Sequence, residues 1–82
     1  MIIYTLPNCP ACDRAKDALN EAGAAYDVHT FANIGDMRAF MANECQMQTV
    51  PKLYADGIWF ENSGEIIKNA HFLASLYPAK KS

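Results

Sequence analysis

Alternating, helical and continuous apolar runs succeed one another along the chain, and each change of period marks a new element. Ile2-Ile3-Tyr4 is a short apolar run bounded by the turn-prone Pro7-Asn8, which predicts a buried strand. From Pro10 to Ala22, the residues Ala15, Ala18, Leu19 and Ala22 recur at helical spacing, and Gly23 follows as a stop. Tyr26, Val28 and Thr30 alternate with Asp27 and His29, the pattern of a half-exposed strand. Asn33 can then cap a second helix of roughly three turns, with Met37, Phe40, Met41 and Cys45 on one face and Asp36 in its first turn. Val50 to Ala55 and Ile58 to Phe60 flank Asp56-Gly57, which predicts two strands joined by a tight hairpin turn. Asn62-Ser63-Gly64-Glu65 has the form of a capping box, and Ile66, Ile67, Ala70, Leu73, Ala74 and Tyr77 mark a third helix ended by Pro78. The expected order is β-α-β-α-β-β-α, an α/β chain.

With 82 residues there is room for one core. A single domain over residues 1–78 is expected, with 79–82 a short solvated tail. The formal charge is -2 with the basic residues scattered, so no basic face is available for nucleic acid. The opening Met1 to Leu6 is too short, and too soon broken by Pro7, for a signal core or a membrane span. These features predict a cytoplasmic address. Three cysteines are an odd number for a disulfide framework, and in a reducing compartment a close pair reads as catalytic or metal-binding.

The close pair is Cys9-Pro10-Ala11-Cys12, placed where a strand runs through a loop into a helix. At that position the two sulfurs can come within disulfide reach. Unpaired N–H groups and the helix dipole favour a thiolate on Cys9, while Pro10 suits the first helical position because it has no N–H to leave unpaired. Zinc needs four ligands, and no second C-x-x-C or paired-histidine motif supplies them, so no metal is expected. His29 and His71 read as solvent-facing. Cys45 falls on the apolar stripe of the second helix and reads as a small core residue. Pro51 lacks a ladder donor and belongs at a strand start or edge.

Across nearly its full length the chain resembles the glutaredoxin family. The resemblance rests on Ile3-Tyr4-Thr5, on Cys9-Pro10-Ala11-Cys12-Asp13-Arg14-Ala15-Lys16, and on Thr49-Val50-Pro51 followed by the Asp56-Gly57 hairpin. It implies a thioredoxin-like fold, a four-stranded mixed sheet flanked by three helices, with a cis bond between Val50 and Pro51. It also implies a thiol–disulfide oxidoreductase in which Cys9 and Cys12 are catalytic, supported by Pro10, Ala11 and Pro51. Glutathione or a peptide would be held by Thr49 and the Val50 backbone, in the manner of an added strand, and by the helix start at Asn62, Ser63, Gly64 and Glu65. No tightly bound cofactor is implied, with glutathione as reductant or co-substrate. Disulfide-bearing proteins are the implied partners, ribonucleotide reductase being one candidate, and a monomer is expected.

Three departures touch the glutathione grip. Leu6 stands where the family carries a basic residue, Ala11 where it carries an aromatic, and Glu61-Asn62-Ser63-Gly64-Glu65 where it has Gly-Gly and an acidic pair. Weakened glutathione binding is therefore expected, from the missing cation at Leu6 and from a negative charge at Glu61. Two alternatives stay open: a hydrogen donor fed by thioredoxin reductase, and a non-enzymatic glutathione-assisted iron–sulfur protein.

Overall fold

Strand β1 (Ile2–Thr5) pairs in parallel with β2 (Asp27–Thr30), from Ile2 opposite Asp27 to Thr5 opposite Thr30, in a computed structural model that describes residues 1–45 and 48–79. Residues 80–82, most of the expected tail, lie outside the described residues. Parallel neighbours need a crossover, and helix α1 (Pro10–Ala22) supplies it. Gly23, at φ 82°, ends α1 in the left-handed conformation and turns its N–H back onto the carbonyls of Asn20 and Leu19. On the other edge of β1 lies β3 (Lys52–Ala55), antiparallel, and beyond it β4 (Ile58–Phe60). The four-stranded sheet has the order β2-β1-β3-β4 and is mixed, as expected. Asp56 at φ 52° and Gly57 at φ 81° make the hairpin turn, two consecutive positive φ values being what a tight hairpin requires.

The period of two along β1 divides the core. Ile3 points to one face, where it meets Ala15 and Leu19 of α1, Leu53 and Ala55 of β3, and Ile66, Ala70 and Leu73 from the last two helices. The larger of these side chains each contribute about 1.5–3 kcal/mol by leaving water. Tyr4 points to the opposite face. There it joins Leu6, Phe40, Cys45 and Val50 around the buried Phe31, Met37 and Met41, under helix α2 (Ile34–Glu44). Asn33 caps α2 as its sequence predicts, its side chain accepting from the Asp36 N–H at 2.8 Å.

Two elements differ from expectation. The third helix is present over the expected residues but in two pieces, α3 (Ser63–Lys68) and α4 (Ala70–Leu76), broken at Asn69. Asn69 sits at φ -102°, ψ 8°, and its side-chain amide donates to the Glu65 carbonyl at 2.8 Å, the local competition that makes asparagine a poor interior helix residue. Strand β2 is exposed on both faces rather than one, because it is an edge strand with β1 its sole neighbour in the sheet. Ala25 donates to Tyr77 and the Ala79 N–H to Gly23 at 2.8 Å, pinning the end of the domain to the α1–β2 turn. Among the described residues no helix is long and apolar enough to cross a membrane.

Candidate active site

The sheet topology gathers one end of every strand at one edge of the molecule. Tyr4 is opposite Lys52 and Leu53 is opposite Phe60, so the C-terminal ends of β1 and β4 and the start of β3 lie together. Both α1 and α3 therefore begin at this edge, and so does the segment leading into β3. The cysteine pair, Thr49-Val50-Pro51 and Asn62 to Glu65 share it.

Pro7-Asn8 is the turn out of β1, with Asn8 at φ 56°, a conformation asparagine tolerates better than most residues. Cys9 follows in extended conformation, φ -113° and ψ 98°, and is the N-cap of α1. Its sulfur takes the place a serine or aspartate oxygen usually holds, accepting the Cys12 N–H at 3.1 Å, while its carbonyl accepts from Asp13 at 3.1 Å. Cys9 and Cys12 are joined in a disulfide with a Cα separation of 5.2 Å. Their surroundings differ: Cys9 is half-exposed, whereas Cys12 is 1% exposed, one turn into the helix. Pro10 is exposed at the helix start and Ala11 half-buried behind it. Cys9 is thus the more exposed partner of the pair, and Cys12 is covered by the core.

The bond between Val50 and Pro51 is cis, as the resemblance implied, and Pro51 is fully buried. Thr49 is exposed and Val50 half-buried, packed on the same Phe31, Met37 and Met41 cluster as Leu6. Asn62 caps α3, its side chain accepting from the Glu65 N–H at 2.9 Å. Asn62, Gly64 and Glu65 are exposed and Ser63 is half-buried. Reading the residues alone missed Lys52, which is fully buried and donates from Nζ to Thr49 Oγ1 at 3.3 Å and to the Glu61 carbonyl at 2.9 Å. A Glu61 carboxylate oxygen lies 3.5 Å from the same nitrogen. The signal was available, because residues 52 and 61 are equidistant from the Asp56-Gly57 turn and so face each other across the hairpin. Glu61 is accordingly not the bare negative charge expected beside a ligand, since the Lys52 ammonium offsets it.

Cys45 is half-buried, not buried as expected. Helix α2 ends at Glu44, and Cys45, at φ -131° and ψ 154°, leaves the helical path, so that its side chain still packs on the Phe31, Met37 and Met41 cluster but is only partly covered. Burial pushes its thiol above the usual range, with Lys52 pulling down and Glu61 and Glu44 pushing up. In the reduced protein at pH 7, Cys45 should alkylate more slowly than Cys9 and speed up only as the pH rises past the ordinary thiol range. Mass mapping after a brief iodoacetamide pulse checks this, and faster labelling at Cys45 would contradict it. His29 and His71 are exposed, the ring of His29 lying edge-on to Phe31 at 4.7 Å. Among the described residues no group of three or more His, Cys, Asp or Glu is arranged to hold a metal ion.

The geometry has counterparts in known proteins. The family model for glutaredoxin matches residues 1–59. Glutaredoxin 1 of Rickettsia felis is 33% identical over 60 residues, which is 71% of this chain and 59% of that protein. The gene 56 protein of Mycobacterium phage D29 is 30% identical over 54 residues, 66% of this chain and 60% of that one. The matches thus span about three-fifths of the length of these curated relatives. Among solved structures, glutaredoxin 1 from Francisella tularensis, complexed with cacodylate, superposes with a TM-score of 0.76 at 25% identity, covering 90% of this chain and 94% of the other. Oxidized glutaredoxin 2 from Chlamydomonas reinhardtii gives a TM-score of 0.68 at 26% identity, over 92% and 76%. With a thioredoxin-like fold, a C-x-x-C at the start of the first helix and a family match over most of its length, this chain belongs to the glutaredoxin family.

Proposed function

We propose that this glutaredoxin is a dithiol thiol–disulfide oxidoreductase acting on protein disulfides or on mixed disulfides of glutathione. The observation that carries the reading is the unequal cysteine pair: a half-exposed Cys9 whose sulfur is bonded to a helix N–H, and a buried Cys12 beside it. In the reduced protein the same N–H and the start of α1 favour a thiolate on Cys9. That thiolate attacks one sulfur of the substrate disulfide, forming a mixed disulfide and releasing the other sulfur as a thiolate that takes up a proton. Cys12 then loses its proton and attacks Cys9 Sγ. The second substrate thiol leaves, and the Cys9–Cys12 disulfide remains. Two glutathione thiols return the pair to the reduced state and are themselves oxidised to one disulfide.

Val50, at the same edge, is suited to pair its backbone with an extended ligand, and the N–H groups at Asn62, Ser63 and Gly64 suit a carboxylate. Thr49 and Glu65 border that surface. Pro10, Ala11 and Pro51 shape the loop around the sulfurs. Glutathione is the proposed reductant or co-substrate, with no tightly bound cofactor; the proposed setting is the cytoplasm, the proposed state a monomer. Disulfide-bearing proteins, among which ribonucleotide reductase is a candidate, are the proposed partners.

One observation favours thioredoxin reductase as a second source of electrons. Leu6, where the family places a cation, is half-buried on the Phe31 cluster and offers glutathione no charge. Losing one charge-assisted bond costs about 1.5–3 kcal/mol, or roughly ten- to a hundredfold in affinity. Leu6→Lys can keep an apolar stem on the cluster with its ammonium in water. It should lower the KM for glutathione by about tenfold and leave turnover with thioredoxin reductase unchanged. An unaltered KM would show that other groups hold the glutathione carboxylates. The reading as a whole is tested by reduction of a glutathione mixed disulfide with NADPH, coupled in parallel to glutathione reductase and to thioredoxin reductase. Failure with both couples would refute it.

A further inference from the structure

Lys52 is the one charged residue among the described residues whose side chain is wholly buried. A buried ammonium is costly unless it is paired and hydrogen-bonded, and this one is held by three oxygens from two separate segments. Thr49 Oγ1 accepts at 3.3 Å from the segment that precedes β3. The Glu61 carbonyl accepts at 2.9 Å from the turn between β4 and α3, with the Glu61 carboxylate at 3.5 Å. Tyr4 of β1 is the cross-strand partner of Lys52 in β3, so the stem of the lysine lies on the aromatic side of the sheet. Its head reaches the edge where both segments emerge.

We propose that Lys52 is a positioning residue for the disulfide exchange, fixing Thr49-Val50 and the start of α3 at a set distance from each other so that both can grip one ligand. The proposal rests on the oxidoreductase reading and deepens it, since those two segments are the ligand-holding surfaces there. Three features set this role apart from that of a lysine that serves stability alone. Its two acceptors outside the ion pair, the Thr49 hydroxyl and the Glu61 carbonyl, belong to the two proposed ligand-holding segments or to the residue beside them. The cysteine loop is on neither segment, so loss of Lys52 should leave the intrinsic reactivity of Cys9 alone. The ammonium also donates to two oxygens and lies beside a third, a carboxylate oxygen, which a neutral isostere cannot reproduce.

The test uses Lys52→Met, which keeps the stem and removes the charge and the donors, with Lys52→Arg as the conservative variant. Amide hydrogen exchange at residues 49–50 and 61–65 should quicken by about tenfold in Lys52→Met while α1 amides stay as in the parent protein. The KM for a glutathione mixed-disulfide peptide should rise by about tenfold, with the rate of Cys9 alkylation by iodoacetamide unchanged. Lys52→Arg should recover most of the KM. Thr49→Val, which removes only the hydroxyl held by the ammonium, should raise the KM alone and add little on top of Lys52→Met, the non-additivity of two groups in one contact. Should Lys52→Met fail to fold, Thr49→Val carries the exchange and KM measurements by itself. Unchanged exchange in these segments, unchanged KM, or full additivity of the two substitutions overturns the proposal. A parent protein without turnover would sink the oxidoreductase reading, and the exchange measurement would still decide whether Lys52 sets the two segments.

Discussion

Cys9→Ser is expected to bring disulfide reduction down to the uncatalysed rate, while Cys12→Ser leaves a protein that still attacks but cannot finish. The two substitutions are chemically alike, so the difference comes from placement. Cys9 is half-exposed and its sulfur faces a helix N–H, which favours the anion that the proposed mechanism needs for attack. A serine hydroxyl at the same cap satisfies the helix equally well, so Cys9→Ser should fold with near-parental stability. Cys12 is 1% exposed. Its removal leaves the first step intact, and the Cys9 mixed disulfide accumulates until an outside thiol resolves it. Mass spectrometry after exposure to a glutathionylated peptide reads the trapped adduct directly. An adduct on Cys12 in Cys9→Ser, formed as quickly as on Cys9 in Cys12→Ser, would invert the assignment.

Local signals in the chain were enough to place most elements because each one is backed by its own turn chemistry. Gly23, Asn33 and Asp56-Gly57 each act within a few residues, and each holds the conformation its residue type prefers. What was less legible depended on partners far away in sequence. The exposure of β2 is decided by its place at the sheet edge, which the alternation of Tyr26 to Thr30 cannot report. The break at Asn69 is a local effect overlooked beside a continuous apolar stripe from Ile66 to Tyr77. Lys52 was hidden by its type, since lysine in a strand reads as solvent-facing until the hairpin register puts Glu61 across from it. At the site, the cysteine pair was legible from spacing alone, whereas the proposed ligand-holding segments came from the family resemblance, because grip by backbone N–H groups would leave little trace in side-chain type.

Helix α3 links the core to the proposed ligand surface, and it is too short to stand alone. Six residues make less than two turns, well below the length at which an isolated helix is stable in water. It persists because Asn62 caps it and because Ile66, at 0% exposure, is driven into the cluster with Ile3, Leu19 and Leu53 against α1. The next residue, Ile67, is 42% exposed, which gives a control with the same side chain on the same helix. Ile66→Ala removes a fully packed side chain and leaves a cavity, a change that costs about 2–5 kcal/mol. In a domain of this size that lowers the melting temperature by roughly 10–30 °C. Ile67→Ala should stay within about 0.5 kcal/mol of the parent, a shift of a few degrees. Thermal unfolding followed by circular dichroism separates the two. Below its melting point, Ile66→Ala should also bind glutathione less well, because the proposed N–H contacts at the start of α3 depend in part on this buried anchor, while Cys9 alkylation stays unchanged. Equal melting shifts at positions 66 and 67 would mean that α3 is not docked through Ile66, and the link from core to ligand would have to run elsewhere.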